Sequence, residues 1–93
     1  MPILSRDDVC ERLKLLPDWK EDQNEIVREA EFPDFVAAID FVNAVAGKAE
    51  AAGHHPDIDV RYNRVRLALV SHDAGGLTQR DFDLAESIEA LLT

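Results

Sequence analysis

In DFVAAIDFVNAVAGKAEAAG, residues 34–53, followed by HHPDIDVRYNRVRLAL, residues 54–69, the apolar period switches from helical to alternating. Phe35, Ile39, Val42, Ala46 and Ala49 step by four, three, four and three, and Ala38, Phe41 and Val45 widen that stripe on one side. Asp40, Asn43, Lys48 and Glu50 fall largely off it. Asp34 has N-cap chemistry and Gly53 suits the left-handed position that ends a helix, so the pattern predicts an amphipathic helix of roughly 18 residues. Past His54-His55-Pro56, Ile58, Val60 and Tyr62 alternate with Asp59 and Arg61. Val65, Leu67 and Leu69 then alternate with Arg66 and Ala68. Only Asn63-Arg64 separates the two runs, which predicts a hairpin with a two-residue loop.

The N-terminal side repeats the pattern in the same order. Ser5 with Asp8 resembles a capping box, Val9, Leu13 and Leu16 recur at helical spacing, and Pro17 stops a first helix over Ser5–Leu16. Asp18–Glu21 and Ile26–Glu31 read as a hairpin turning at Asp22-Gln23-Asn24, with Trp19 on the buried side and Arg28 standing on the apolar phase. On the C-terminal side Gly75-Gly76 break the chain. Thr78 with Asp81 forms a further capping box, Leu77 and Phe82 a hydrophobic staple, and Phe82, Ala85, Ile88 and Leu92 line a last helix. The order α-β-β-α-β-β-α with hairpins rather than crossovers predicts an α+β domain of two layers. Three helices cover one face of a four-stranded antiparallel sheet. The other face is left to solvent or to a second copy, and the edge strands are open to pairing.

The 93 residues hold one domain, residues 1–93, and carry a net charge of −9 at a pI near 4.6. That balance argues against direct binding of nucleic acid or of an anionic membrane, both of which recruit cations. No apolar run approaches the ~20 residues of a membrane span. Cys10 is the single cysteine, without a CxxC or a signal segment, which points to a reducing, cytoplasmic setting. The admissible ligands are an uncharged small molecule or a protein.

The chemistry concentrates at element boundaries. His54 and His55 follow the helix-ending Gly53, and His72 sits at the end of the last strand. With the loop at Asn63-Arg64, antiparallel partners sum to about 127, which sets His55 against His72 and gathers the three histidines. Imidazoles near neutrality both donate and accept protons, which suits acid–base catalysis. Three histidines also fit a zinc site, and the bland reading is a polar sheet end bonded to backbone and water. Glu50 lies four residues before His54 and reads otherwise as a solvated last-turn carboxylate. Asp81 reads equally as a capping residue, Tyr62 and Trp19 as core aromatics, and Cys10 as packing.

The run Glu50-Ala-Ala-Gly-His54-His55-Pro56, with Tyr62, His72 and Asp81 at their separations, resembles the signature of the pterin-4a-carbinolamine dehydratases. The segment from Ser71 to Asp81 is similar to that family's loop into its last helix. The resemblance implies the same α+β fold, assembled as homodimers or homotetramers. It also implies loss of water from a 4a-hydroxytetrahydropterin to give quinonoid dihydropterin, regenerating the cofactor of aromatic amino-acid hydroxylases. No metal or cofactor takes part in the family. His54 and His72 then carry acid–base work and His55 chiefly binds the pterin. Glu50 and Asp81 orient the imidazoles or bond the pterin edge, and Tyr62 belongs to the substrate-binding set. A second class stays open, since some animal members act as dimerisation cofactors of a homeodomain transcription factor through a helix. The Ser5–Leu16 helix would be the face for such a protein partner.

Overall fold

A computed structural model describes residues 2–92 as three helices and one four-stranded sheet. The elements run α1 (Arg6–Leu13), β1 (Trp19–Asp22), β2 (Glu25–Glu31), α2 (Phe35–Ala52), β3 (Asp57–Arg61), β4 (Arg64–Leu69) and α3 (Gln79–Ala90). The strands lie in the order β1-β2-β4-β3 and every neighbouring pair is antiparallel, as hairpins dictate. The expected α+β architecture is present.

The helix ends follow the side chains that close them. Ser5 Oγ accepts the Asp8 N–H at 3.1 Å and Asp8 accepts the Ser5 N–H at 3.3 Å, a complete capping box. The α1 helix is shorter than the apolar spacing predicts, because it closes at Leu13. The N–H groups of Leu15 and Leu16 turn to the carbonyls of Arg12 and Leu13, three residues back, and this tighter turn buries Leu16 ahead of Pro17. Asp34 caps α2 through the Ala37 N–H at 2.8 Å, and Gly53 ends it at φ +63°.

The buried stripe of α2 is Ala38, Phe41, Val45 and Ala49. The parallel stripe through Phe35, Ile39, Val42 and Ala46 lies at its margin, with Phe35 and Ala46 exposed. The buried line is thus rotated from the one that the sequence centres on. The small Ala38 and Ala49 let the helix approach the sheet, and Phe41 meets Phe32 with ring centroids 5.0 Å apart.

Ile26, Val65, Leu67 and Leu69 face the helices and join Phe82, Leu84, Ala85 and Ile88 of α3 in one core. Arg28 shares that face, and its charge is answered there. Glu89 of α3 takes its Nε at 3.0 Å and the indole N–H of Trp19 at 2.8 Å, which satisfies a carboxylate and a guanidinium that burial would otherwise penalise.

The two hairpin loops differ. Gln23-Asn24 joins β1 to β2 with both residues at positive φ, as a tight hairpin turn demands. The β3–β4 loop is Tyr62-Asn63 rather than the predicted Asn63-Arg64, because Arg61 pairs with Arg64. Asn63 is held by the residue that follows β2: its side chain donates to the Phe32 carbonyl at 2.8 Å and its carbonyl accepts the Phe32 N–H at 2.9 Å. Those two bonds outweigh the penalty of leaving Tyr62 at φ +54°. The partner sum is therefore 125, not 127, as Asp57 opposite Ala68 shows.

Candidate active site

The C-terminus of α2 aims the first histidine. The His54 N–H bonds the Ala49 carbonyl at 3.1 Å and the Gly53 N–H bonds the Glu50 carbonyl at 3.2 Å, a Schellman closure around the left-handed glycine. The chain thus folds back beneath the helix, and His54 is buried. Its Nε2 lies 2.6 Å from Oδ1 of Asp81, which projects from the first turn of α3 and is fully buried. A carboxylate only accepts, so Nε2 carries the hydrogen and Nδ1 the lone pair of the neutral ring.

Asp81 is engaged on its other oxygen as well. Oδ2 accepts the Thr78 N–H at 2.9 Å, the cap arm that the sequence suggests, and also the Ser71 hydroxyl at 3.0 Å. The Ser71 and Thr78 hydroxyls lie 2.8 Å apart, and both residues are fully buried. Spacing assigns no role to Ser71, although a signal exists. Val65, Leu67, Leu69 and Ser71 continue one phase, so a polar residue extends the buried side of the strand.

His55 turns the opposite way. It pairs with Glu50, and both side chains are largely exposed, at 62% and 76%. His72 is exposed in the turn of residues 71–76, where Gly75 takes φ +81° and Ser71 bridges Gly76. The register of 125 no longer sets His72 opposite His55. It is tied to the site through its chain neighbour Ser71, whose hydroxyl touches Asp81. That turn is pinned to α3 by Arg80, which bonds Asp73 and holds the Asp73 carboxyl below its ordinary range.

Tyr62 is not brought to this cluster within the chain. It stands exposed at the tip of the β3–β4 hairpin, with the whole of β3 between it and Pro56. Five residues of strand separate the two ends by about 17 Å.

A hollow of about 170 Å³ adjoins His54, lined also by Ala52, Arg80, Asp83, Leu84 and Ser87. A larger one of about 470 Å³ lies on the open face of the sheet between Glu29, Glu31, Asp59, Arg61, Arg64 and Arg66. Its walls include the exposed pairs Arg61–Asp59 and Arg64–Glu31, and it has no histidine. Of these two hollows, the smaller is the one with a histidine in its lining, His54. Among the described residues no three of His, Cys, Asp and Glu converge as a metal ion requires, and no helix is long and apolar enough to cross a membrane.

Residues 2–91 match the family model described as pterin 4 alpha carbinolamine dehydratase. A relative from Acidobacterium capsulatum, provisionally named a pterin-4-alpha-carbinolamine dehydratase, is 76% identical over 92 residues. The match covers 99% of this chain and 100% of the relative. A Chloroflexus aurantiacus protein under the same provisional name is 59% identical over 92 residues, covering 99% of each. The crystal structure of a transcriptional coactivator/pterin dehydratase from Brucella melitensis has the same fold, with a TM-score of 0.93 at 31% identity. It covers 98% of this chain and 99% of that one.

Proposed function

The chain belongs to the pterin 4 alpha carbinolamine dehydratase family, and from that premise we propose that it dehydrates a 4a-hydroxytetrahydropterin to quinonoid dihydropterin and water. The observation that carries this reading is the buried His54–Asp81 pair, beside an exposed His55–Glu50 pair and chain-linked through Ser71 to His72. The reaction breaks the C4a–O bond and forms a double bond from C4a to a ring nitrogen. One proton must reach the departing hydroxyl and one must leave the nitrogen, so the step is proton-neutral overall. Two imidazoles supply both transfers near neutral pH. In this reading His54 and His72 carry the transfers, His55 binds the pterin from the exposed side, and Glu50 and Asp81 orient the two adjacent rings. No cationic residue is needed, which agrees with an uncharged heterocycle and a chain of net charge −9.

The test is stopped-flow decay of freshly generated 4a-hydroxytetrahydropterin. Wild type should accelerate it, and a His54→Ala/His72→Ala double variant should return the decay to the uncatalysed rate. Equal acceleration by both removes the dehydratase reading. A role as a protein-binding cofactor instead leaves partner capture intact in that variant. The family also brings self-association as a homodimer or homotetramer. Phe35 and Val36, both exposed on α2, support it, and sedimentation at micromolar concentration measures it.

A further inference from the structure

We propose that Ser71 and Thr78 are positioning residues of this site: their hydroxyls form a buried relay that locks the Asp81 carboxylate, so that His54 keeps its hydrogen on Nε2 and offers Nδ1 to the ligand. The direction of the relay follows from counting hydrogens. Asp81 Oδ2 only accepts, so the single hydroxyl hydrogen of Ser71 goes to it, at 3.0 Å. The hydrogen between the two hydroxyls, 2.8 Å apart, must then come from Thr78. Thr78 donates twice, its hydroxyl to Ser71 and its N–H to the same Oδ2 at 2.9 Å. The Ser71 hydroxyl and the Thr78 N–H thus both fall on Oδ2, and Oδ1 is left for His54 at 2.6 Å.

A helix cap alone would need only the Thr78 N–H. The second donor does something different, because carboxylate χ2 is a broad two-fold torsion that one bond holds loosely. Two donors from different elements, the strand extension and the α3 cap, fix the carboxylate plane. That plane fixes the ring plane of His54. Asp81, Ser71 and Thr78 are all at 0% exposure, so no water competes for these bonds. The relay also spans the turn that carries His72, and so couples the placement of the two histidines.

The kinetic part of this inference rests on the dehydratase reading, and the spectroscopic part does not. Long-range ¹H–¹⁵N NMR of the ligand-free protein reads the tautomer of each histidine. Wild type should show His54 as the Nε2–H form alone, with His55 and His72 as internal controls in exposed settings. Ser71→Ala should give a mixture of both tautomers at His54. Its kcat should fall about 10-fold with KM within about two-fold, the pattern of a misaligned reacting group. Ser71→Thr, which restores the hydroxyl, should recover kcat to within about two-fold. Thr78→Val keeps the side-chain shape and the backbone N–H and should show the same changes at about a third of the size. It also carries the NMR measurement if Ser71→Ala does not fold. A single Nε2–H tautomer with unchanged kcat in both variants overturns the proposal. The expected tautomer shifts in a protein that never accelerates pterin dehydration would uphold the relay and remove the dehydratase reading.

Discussion

His54 and His55 are chain neighbours of the same residue type, each paired with a carboxylate, and they sit in opposite environments. His54 meets a carboxylate at 0% exposure that two other donors, the Ser71 hydroxyl and the Thr78 N–H, also hold, whereas the Glu50 partner of His55 is 76% exposed. The difference originates in one residue. Gly53 at positive φ sends the chain back under α2, so the next side chain enters the space between the helix ends and the one after it leaves. The buried pair has a fixed ring plane and a fixed tautomer. The exposed pair, screened by water, has neither. Under the proposed function, the same side chain serves a directed proton transfer at one position and adaptable binding at the next.

The largest expected effect separates the two rings kinetically. His54→Ala should lower kcat by about 10²- to 10⁴-fold, the usual contribution of a positioned acid or base. His55→Ala should act mainly on KM, with kcat retained within about ten-fold. Steady-state rates from the stopped-flow assay decide this, and equal kcat losses for both variants would break the contrast.

Stability should divide along the same line. Asp81→Ala strands the donors of Ser71, Thr78 and His54 in a closed site and should cost about 3–5 kcal/mol in urea titration. Glu50→Ala removes an exposed partner and should stay within about 0.5 kcal/mol. A comparable loss in both would mean that the exposed pair is structural.

The degree to which this contrast can be read from sequence depends on the range of the interaction. Gly53, the adjacent histidines and the capping pair Thr78–Asp81 are local features, and short spacings specify them. The element order follows as well, because the apolar period changes at each boundary. The partner of Asp81 is different: nothing within a few residues of position 81 reveals that it faces His54, 27 residues earlier. The hairpin register failed for the same reason. Asn63 tolerates positive φ and is a natural loop residue, but its bonds to Phe32, just past the end of β2, come from a distant part of the chain and move the loop by one position. Arg28 is a third case. Its place on the apolar phase argues against a strand until Glu89, 61 residues away, is seen to receive it.

That Arg28–Glu89–Trp19 cluster offers an intermediate case, a charge pair partly covered and with no histidine among its bonded partners. The Arg28 guanidinium lowers the Glu89 carboxyl below its ordinary value of 4.5; partial burial opposes the shift, and the Trp19 indole N–H adds to it. A depressed carboxyl contributes stability that is full above the unfolded value and is lost as pH falls through the folded one. The wild-type melting temperature should therefore decline below about pH 4.5, and Glu89→Gln should flatten part of that decline. At neutral pH the same variant should cost about 1–2 kcal/mol, because the pair is partly solvated. An acid limb of identical slope in wild type and variant would show that Glu89 does not carry it.

The smallest effect tests whether the site is complete within one chain. Tyr62 belongs to the binding set by family resemblance, yet it stands at the hairpin tip with β3 between it and the histidines. Its φ of +54° is unfavourable for an aromatic and easy for asparagine. Tyr62→Asn should therefore keep the fold and raise stability by a few tenths of a kcal/mol, about the difference between those residues in the left-handed region. If the two pairs and His72 make up the whole site, KM should remain within about two-fold of wild type. A several-fold rise in KM, with stability unharmed, would require a hairpin tip from a second copy to reach the pterin. The phenol would then act across an interface, and the contrast between neighbouring histidines would extend to a third contact that one chain alone does not supply.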